Sequence, residues 1–254
     1  MSDVEACRRL VTEGDPARAH ATHAAPAAAQ AVLWPLYAFN LEIARAPFVS
    51  AEPMVAEMRL QWWIDTVERA AAGAVPPHHE VAGPLAAMIA ARGLDVAPLV
   101  AAAEARKRDA WNEPFNDSEA LLSHIDATSG GVMAAAVAAL GGDPAQGAAV
   151  GRALGAANWL TALAELTARG REVLPAHPEA AADLARAGLA ALDRARAMPR
   201  LPGAAQPALW PAAGAGAVLR QALREPARIT AGSLGLSEFS RRWKALRAVL
   251  TGRV

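Results

Sequence analysis

The sequence predicts an all-α protein made of one domain, and three observations lead to this prediction. Hydrophobic residues make up 54% of the chain and aromatic residues only 5%, and alanine, the strongest helix former, dominates the composition. Runs of β-branched residues are scarce, and no segment alternates between apolar and polar residues as a strand does. A chain of 254 residues is long enough to enclose one large hydrophobic core.

The order of the helices follows from their start and stop signals. Ser2, Ser50 and Ser118 are suitable N-caps, and Gly14 follows the first helical run as a stop. Pro47 is expected to end the second helix, because proline cannot donate a backbone hydrogen bond. The predicted helices span residues 3–13, 27–45, 52–72, 80–92, 95–111, 117–140, 144–169, 178–197, 212–224 and 237–250.

The remaining segments are assigned within a single domain over residues 1–254. Residues 1–25 are expected to be loosely attached, with a connection at 20–26. Residues 199–211 contain four prolines and are expected to form a surface loop. Residues 237–250 are expected to form a basic, amphipathic terminal helix.

Charge and cysteine content exclude several classes of protein. The formal net charge is zero, so neither a nucleic-acid partner nor a global attraction to anionic membranes is expected. Cys7 is the single cysteine, which excludes an intramolecular disulfide framework and is expected to be a free thiol. The start lacks the pattern of a signal peptide, and no run is apolar enough to predict a membrane span. We expect a cytoplasmic protein and leave open a peripheral contact with the inner membrane.

The most informative segment is GRALGAANWLTALAELTARGREVLP at residues 151–175. Its frame consists of Gly151, Ala153, Leu154, Asn158, Glu165, Gly170, Arg171, Leu174 and Pro175. Without gaps, this frame resembles the second aspartate-rich helix of squalene and phytoene synthases. In that family an Arg-Asp pair and a further Asp follow the asparagine. Here these positions hold Thr161, Ala162 and Leu166, and only the neighbouring Glu165 is a carboxylate.

The missing carboxylates matter because they hold magnesium against the diphosphate of a prenyl substrate. Magnesium takes oxygen ligands in octahedral geometry, usually carboxylates and substrate phosphates. Two aspartates four residues apart project from the same face of a helix and can share metal ions. Ala162 and Leu166 have no atom that can ligate a metal.

A first aspartate-rich motif shows the same loss. The run LYAF at residues 36–39 resembles the start of the family's first catalytic helix. The paired aspartate positions hold Ala44 and Arg45, and the later one holds Phe48. A guanidinium at a metal-ligand position repels the cation, so the resemblance implies the fold without its usual metal site.

Further segments extend the resemblance over roughly residues 25–180. The run RLQWW at 59–63, followed by Asp65, resembles the family's third landmark. The segment PHHEVA at 77–82 lies where the family has its His-Pro-Val turn, and SGGVM at 129–133 resembles the small-residue helix before the second motif. The resemblance implies an isoprenoid synthase fold, a helical bundle around a central cavity.

Two phrases resemble a branch of the family that lacks the aspartates. FNLEIA at 39–44 and MRLQWW at 58–63 are similar to signatures of the mitochondrial complex I assembly factor of squalene/phytoene synthase type and its bacterial relatives. This resemblance implies a non-catalytic role in the assembly of a respiratory complex or another membrane complex. It also implies a protein partner, with a lipid or isoprenoid as a further ligand.

The alternative function is enzymatic. A prenyltransferase that uses prenyl diphosphates would need a rearranged magnesium site, for which Glu42, Asp126 and Glu165 are the candidate ligands. Magnesium is expected only under this alternative, and otherwise no cofactor, metal ligand or catalytic residue is assigned. A third hypothesis, a simple lipid- or quinone-binding module, would need only an apolar cavity.

The resemblance also implies which residues surround the cavity. The polar side chains among them are expected either to bind an anionic or isoprenoid ligand or to form internal ion pairs, because buried charges are usually paired. Arg45 is then expected to pair with Glu42 or Glu165. The candidates are Tyr37, Asn40, Glu42, Arg45, Arg59, Gln61, Trp62, Asp126, Asn158 and Glu165.

Histidines and the terminal helix carry separate expectations. His78 and His79 are assigned to a loop, because adjacent residues rarely converge on one metal ion. In the terminal helix, Leu246 and Leu250 continue an apolar stripe, which either lies on an anionic membrane or acidic partner or docks on the core. The candidate contact residues are Phe239, Arg241, Arg242, Trp243, Lys244 and Arg247, with Arg253 adding to the basic charge.

Overall fold

The computed structural model describes residues 3–50, 52–171, 173–252 and 254, and in these residues the chain is all-α, as predicted. Ser2 and Arg253, named above, lie outside the described residues. The helices are α1 (Asp3–Gly14), α2 (Pro16–His23), α3 (Ala27–Val49), α4 (Pro53–Ala71), α5 (Ala82–Arg92), α6 (Ala97–Trp111), α7 (Ser118–Ile125), α8 (Gly131–Ala139), α9 (Pro144–Ala168), α10 (Ala180–Ala197), α11 (Ala215–Arg224), α12 (Ala227–Thr230) and α13 (Glu238–Thr251). A π turn (Asp126–Gly130) joins α7 to α8, and a 3-10 helix (Gln206–Ala212) precedes α11.

Aspartate caps start three of these helices. The side chains of Asp15, Asp117 and Asp143 accept hydrogen bonds from the backbone N–H groups at the starts of α2, α7 and α9. A capping aspartate satisfies an amide that has no partner within the helix, and its charge also opposes the helix dipole. The sequence prediction placed the α7 cap one residue later, at Ser118.

Helix α3 is the centre of the core and packs against α1, α4 and α6. Leu33, Leu36 and Phe39 are completely buried, and the ring of Phe39 meets that of Trp63 on α4 edge to face at 5.5 Å. Such edge-to-face pairs add to the free energy gained from burying the rings. The core therefore fixes the direction of α3, whose C-terminal half reaches the cavity described below.

Helix α9 packs unusually close to the run formed by α7, the π turn and α8. A Cβ atom on Gly147 would lie 2.7 Å from the carbonyl oxygen of Met133, and one on Gly151 would lie 2.6 Å from that of Ser129. Gly155, one turn further on, would meet Ile125 and Ser129 at 2.7 Å. The absence of side chains at these three positions, four residues apart on one helix face, permits this backbone contact.

Several boundaries differ from the sequence-based expectations. Loose attachment was expected for residues 1–25, but α1 packs on α3 and buries Cys7 and Val11 completely. The expected connection at 20–26 is partly helix α2. Helix α3 continues through Pro47 to Val49, since a proline near a helix end removes only one backbone hydrogen bond.

The proline-rich segment 199–211 is also not a simple surface loop. It leads into the 3-10 helix, in which Ala208, Leu209 and Trp210 are buried against the core. Proline is compatible with this short helix because few of its N–H groups have partners within the helix. The segment thereby closes the end of the bundle near α2 and α9.

Among the described residues, one helical run, Ser118–Ala139, has the length and apolarity that a membrane span requires, although the sequence predicts none. The criterion uses composition alone, and 61% of the apolar window is buried inside the structure. The run is apolar because it is buried against α9, and a helix at the centre of a bundle is apolar for the same reason.

Candidate functional site

Side chains from α2, α3, α6, the π turn and α9 surround a cavity of about 280 Å³. Its apolar lining includes Leu41, Phe48, Phe115, Ile125, Leu166 and Val173. Its polar lining comes mainly from the C-terminal part of α6 and from the start of α2. The cavity is therefore amphipathic, with an apolar wall and a charged wall.

The positions of both aspartate-rich motifs meet at this cavity. Ala44 and Phe48, four residues apart on α3, line it, as do Ala162 and Leu166 on α9. Asn40 and Asn158, one turn before these pairs, also line it. The spacing in the sequence thus identified two facing helix surfaces, and both are apolar where the family has carboxylates.

Four arginines line the cavity, against three carboxylates among the described lining residues. The arginines are Arg18, Arg106, Arg108 and Arg171, and the carboxylates are Asp15, Asp109 and Glu113. Two arginines are paired with carboxylates: Arg18 with Asp15 at 2.5 Å, and Arg106 with Asp109 at 2.9 Å. The described lining therefore has an excess of positive charge.

The other two arginines are held by carbonyl groups and aromatic rings. Arg108 donates to the carbonyl of Pro114 at 2.7 Å and lies over the ring of Phe115, with Cζ 4.0 Å from the centroid. Arg171 donates to the carbonyl of Asp109 at 2.7 Å and covers the ring of Phe48. These contacts fix both guanidinium groups without neutralising their charge.

The ion pair at the start of α2 keeps its carboxylate charged. Burial alone would raise the pKa of Asp15, but the charge of Arg18 and hydrogen bonds from Arg18 and Ala17 lower this pKa overall. Asp15 is therefore committed to Arg18 and to capping α2.

Four buried polar atoms on lining residues have no hydrogen-bond partner within the described parts of the chain. They are Arg18 Nε, Arg106 Nε, Arg108 Nη1 and Ser129 Oγ. A buried donor without a partner costs about 1–3 kcal/mol. Oxygen atoms of an anionic ligand in the cavity would satisfy such donors.

An aromatic cluster stands behind the charged wall. The ring of His124 meets those of Phe115 and Trp159 edge to face at 5.5 and 5.4 Å, and its Nε2 lies 3.6 Å from a carboxylate oxygen of Asp109. Burial lowers the pKa of His124 to about 4, although the charge of Asp109 acts in the opposite direction. At neutral pH His124 is therefore uncharged, and Asp109 forms its ion pair with Arg106.

Of the residues that the resemblance implies for the cavity, the structure brings only Asn40 and Asn158 to its lining. Tyr37 is a core residue whose hydroxyl donates to the carbonyl of Ala208 at 3.4 Å, and burial raises its pKa. Glu42 and Trp62 do not contribute to the lining. Arg59 and Gln61 are exposed on the outer face of α4.

The expected ion pairs of Arg45 are not formed. Arg45 is exposed and its guanidinium packs against Gly14 of α1, because successive helical residues point in directions about 100° apart and only Ala44 faces inward. Glu165 is exposed and pairs with Arg169.

The alternative metal ligands are not brought together either. Asp126 is paired with Arg152, and it contributes neither to the cavity lining nor to a cluster with Glu42 and Glu165. The ion pairs on the cavity wall join other residues, namely Arg18 with Asp15 and Arg106 with Asp109.

The terminal helix α13 is not docked by its apolar stripe. Phe239, Trp243, Leu246 and Leu250 are all exposed, and Ala248, on the opposite face, is the buried residue.

His78 and His79 do lie between helices, where His79 Nδ1 accepts a hydrogen bond from the amide of Val81 at 3.1 Å.

Sequence reasoning missed the charged wall. Arg18, Arg106, Arg108 and Asp109 lie outside the family motifs that the resemblance identified. The only available signal was the charged run EARKRD at 104–109 in an otherwise alanine-rich helix. Helical periodicity places Arg106 and Asp109 on one face, but the partner helix is apparent only from the tertiary structure.

Comparison with known proteins defines the class. The family described as squalene/phytoene synthase matches residues 11–190, and the chain therefore belongs to this family. No curated protein sequence matches the chain significantly.

Solved structures show the same fold. A dehydrosqualene synthase in complex with ligand superposes with a TM-score of 0.77 at 15% identity, covering 98% of this chain and 95% of that one. Squalene synthase HpnC from Alicyclobacillus acidocaldarius gives 0.64 at 21% identity, covering 89% and 94%. YisP from Bacillus subtilis subsp. subtilis strain 168 gives 0.65 at 17% identity, covering 96% and 95%. The chain is similar to each of these in fold.

The residues of the cavity do not fit the magnesium ions that this fold family implies. Magnesium prefers carboxylate oxygens, but Ala44, Ala162 and Leu166 occupy the aspartate positions. Asp15 and Asp109 are bonded to arginines. No group of three or more His, Cys, Asp or Glu side chains that could hold a metal ion occurs in the described part of the chain. The positive charge on the cavity wall comes from arginine.

Proposed function

We propose that this member of the squalene/phytoene synthase family is non-catalytic. It binds an anionic isoprenoid or lipid in its cavity through arginines, without magnesium. It acts through protein contacts in the assembly of respiratory complex I or a related membrane complex.

One observation carries the ligand part of the proposal: four residues that line the cavity each have a buried donor without a described partner, and the family's metal positions on this lining, Ala44, Ala162 and Leu166, are apolar. Arginine presents its N–H donors in a planar fork that suits phosphate oxygens and never loses its charge. Arg108 and Arg171, which line the cavity without a carboxylate partner among the described residues, therefore supply the charge neutralisation that metal ions supply in a synthase. Neither group polarises a leaving group as a metal ion would, so binding without turnover is expected.

The size and apolar wall of the cavity limit the ligand. A volume of about 280 Å³ lies just below the range of about 300–1,000 Å³ for small-molecule sites. Leu41, Phe115 and Ile125 provide an apolar surface beside the charged wall. A single amphiphile, with a phosphate or diphosphate head and an isoprenoid or acyl chain, matches this division.

The assembly role rests on the resemblance of the MRLQWW phrase and on where its side chains lie. Met58 is 66% exposed and Trp62 36% exposed, and Arg59 is also on the outside of α4. Side chains that turn away from the cavity cannot contact a ligand within it, but they are available to a protein partner. Exposed methionine and tryptophan are residues that protein interfaces favour.

The alternative remains a prenyltransferase, and it is favoured by the names of two similar structures, which are described as synthases. It would require magnesium ligands that differ from the family's. Of the lining carboxylates, Asp15 and Asp109 are paired with arginines, so Glu113 is the candidate ligand.

Calorimetry with farnesyl diphosphate separates the two functions. We expect binding in the presence of EDTA, with an affinity that magnesium does not increase and without release of pyrophosphate. The substitutions Arg108→Gln and Arg171→Gln together should weaken binding at least about tenfold, since each removes a charge-assisted hydrogen bond. Arg69→Gln with Arg92→Gln, which removes two exposed arginines outside the cavity lining, is the matched control.

Each outcome decides between the functions. Binding that requires magnesium, accompanied by pyrophosphate release, would establish the prenyltransferase alternative. No binding under either condition would refute the ligand part of the proposal, as would an unchanged affinity in the double variant.

The assembly role needs a test in cells. A strain that lacks this chain should contain less assembled complex I, measured on native gels and as NADH oxidation by membranes. Wild type should restore the complex, whereas Met58→Ser with Trp62→Ser should not. Val75→Ser changes a hydrophobic residue outside α4 that is 84% exposed, and this variant should restore complex I fully. Normal complex I in the deletion strain would refute the role.

A further inference from the structure

Helix α13 presents an apolar stripe to solvent along its whole length. Phe239, Trp243 and Leu250 are 79%, 60% and 74% exposed, and Leu246 lies between them. With 3.6 residues per turn, these four side chains fall within about 60° of one another around the helix axis. An ordered apolar face of this kind is uncommon on a helix whose surroundings are water alone.

The opposite face of α13 holds the helix on the body of the protein. Ala248 is the buried residue, and Val249 packs against the core. Ser237 caps the start of the helix by accepting a hydrogen bond from the amide of Ser240 at 3.3 Å. Gly252 ends the helix in the left-handed conformation, with φ of 62°, beside the side chain of Gln206. The outward direction of the stripe is therefore set by packing on the other side.

A basic cleft lies directly beside this helix. It has a volume of about 490 Å³ and is bounded by α10, the 3-10 helix, α11 and α13. Five cationic side chains line it, and no aspartate or glutamate occurs among its described lining residues. These cations are Arg196, Arg200, Arg220, Lys244 and Arg247.

Most of this charge is not neutralised. Arg196 pairs with Asp193 at 3.2 Å, and Arg200 donates to the carbonyl of Thr251. Arg220, Lys244 and Arg247 form no salt bridge with any residue that the structure describes. The cleft thus concentrates positive charge in a chain whose formal net charge is zero, which indicates an anionic partner at this place.

The cleft and the stripe are connected through Arg247. On the helix circumference Arg247 lies about 40° from Trp243, between the stripe and the docked face, and Arg242 flanks the stripe on the other side. An anionic group in the cleft would therefore lie next to an apolar group on the stripe. A phospholipid has this combination of a phosphate and acyl chains.

We propose that α13 and the basic cleft together form a docking surface for an anionic phospholipid bilayer. The stripe inserts at the boundary between headgroups and acyl chains, and Arg220 and Arg247 contact lipid phosphates. Charge complementarity selects this occupant, because the unpaired cations of the cleft border the apolar face, as in helices that lie in a membrane surface. Trp243 is suited to the interfacial region, where tryptophan is enriched.

Flotation of the full chain with lipid vesicles tests this docking surface. We expect it to float with vesicles of equal parts phosphatidylcholine and phosphatidylglycerol, and much less with phosphatidylcholine alone. Because each cation near an anionic surface contributes about 1 kcal/mol, Arg220→Gln with Arg247→Gln should weaken partitioning about 30-fold. The control Arg69→Gln with Arg92→Gln removes the same charge from exposed sites on α4 and α5 and should bind like wild type.

A second pair of variants tests the stripe. Phe239→Ser with Trp243→Ser should abolish flotation, whereas Val75→Ser should not change it. Thermal unfolding of each variant shows that it is folded, which the exposure of the changed side chains makes the expected result. Gel filtration of wild type and the stripe variant reports whether the stripe instead joins two copies of the chain.

The outcomes are distinct. No flotation of wild type would overturn the proposal, as would equal flotation with both lipids and in the Arg220→Gln/Arg247→Gln variant. Binding of inorganic phosphate in the cleft without flotation would also overturn it, since the occupant would then be a free anion. A concentration-dependent dimer that the stripe variant loses, again without flotation, would assign the surface to a second copy. None of these results depends on a ligand in the central cavity.

Discussion

Replacing Gly151 with alanine tests how closely α9 approaches the π turn. The new Cβ would lie 2.6 Å from the carbonyl oxygen of Ser129 and 2.8 Å from the Cα of Gly130. Both neighbours are backbone atoms, so no side-chain rotation can relieve the contact. The helix must shift, and with it the cavity wall that Ser129 and Gly155 form.

The magnitude follows from two opposing effects. Overpacking a close contact costs about 1–3 kcal/mol, and contact with backbone places this case at the upper end. Alanine in place of glycine inside a helix recovers about 1 kcal/mol. We therefore expect the free energy of unfolding to fall by about 2 kcal/mol, which lowers the melting temperature by about 4–8 °C in a chain of this size.

Thermal and urea unfolding of wild type and Gly151→Ala measure this change. The control is Gly203→Ala, because a Cβ on Gly203 would have no neighbour within 4 Å. That variant should differ from wild type by less than about 0.5 kcal/mol. If Gly151→Ala were as stable as Gly203→Ala, the close approach of α9 to the π turn would be refuted.

Three further predictions concern the cavity and its surroundings. Since burial lowers the pKa of His124 to about 4, only the unfolded chain gains this proton between about pH 6.5 and pH 4. Stability should fall over that range by up to about 3 kcal/mol more in wild type than in His124→Leu, measured by urea unfolding. Ala162→Asp with Leu166→Asp should gain magnesium-dependent heat in calorimetry, because it restores two carboxylates on the lining of the cavity. Tyr37→Phe should lower stability by about 1 kcal/mol through loss of its hydrogen bond to Ala208, with ligand affinity unchanged.

Each of these has a contradicting result. Parallel pH profiles of wild type and His124→Leu would show that His124 is not held neutral. If wild type bound magnesium as tightly as the double aspartate variant, the metal site would not have been lost. A loss of ligand affinity in Tyr37→Phe would show that Tyr37 contributes to ligand binding.

Several motif positions meet at one cavity because motifs report on helix faces. Ala44, Ala162 and Leu166 were identified from spacing relative to LYAF and to Asn158, and they do line one cavity. Arg45 was assigned to the same place from the same alignment, yet its side chain points to α1. A motif gives the position of a residue along a helix, and a difference of one residue rotates a side chain by about 100°.

The sequence by itself determined the all-α class, the order of the major helices and the absence of the family's carboxylates, because helix propensity and residue identity are local properties. Only the tertiary structure decided what replaced those carboxylates. Arg18 and Arg106 are 88 positions apart and meet at one cavity because α2 and α6 both pack around α3. The sequence likewise left open whether the apolar stripe of α13 packs on the core. In the structure the stripe is exposed and Ala248 is buried. Helical periodicity defines an apolar face, but the rest of the fold determines whether that face meets protein or solvent.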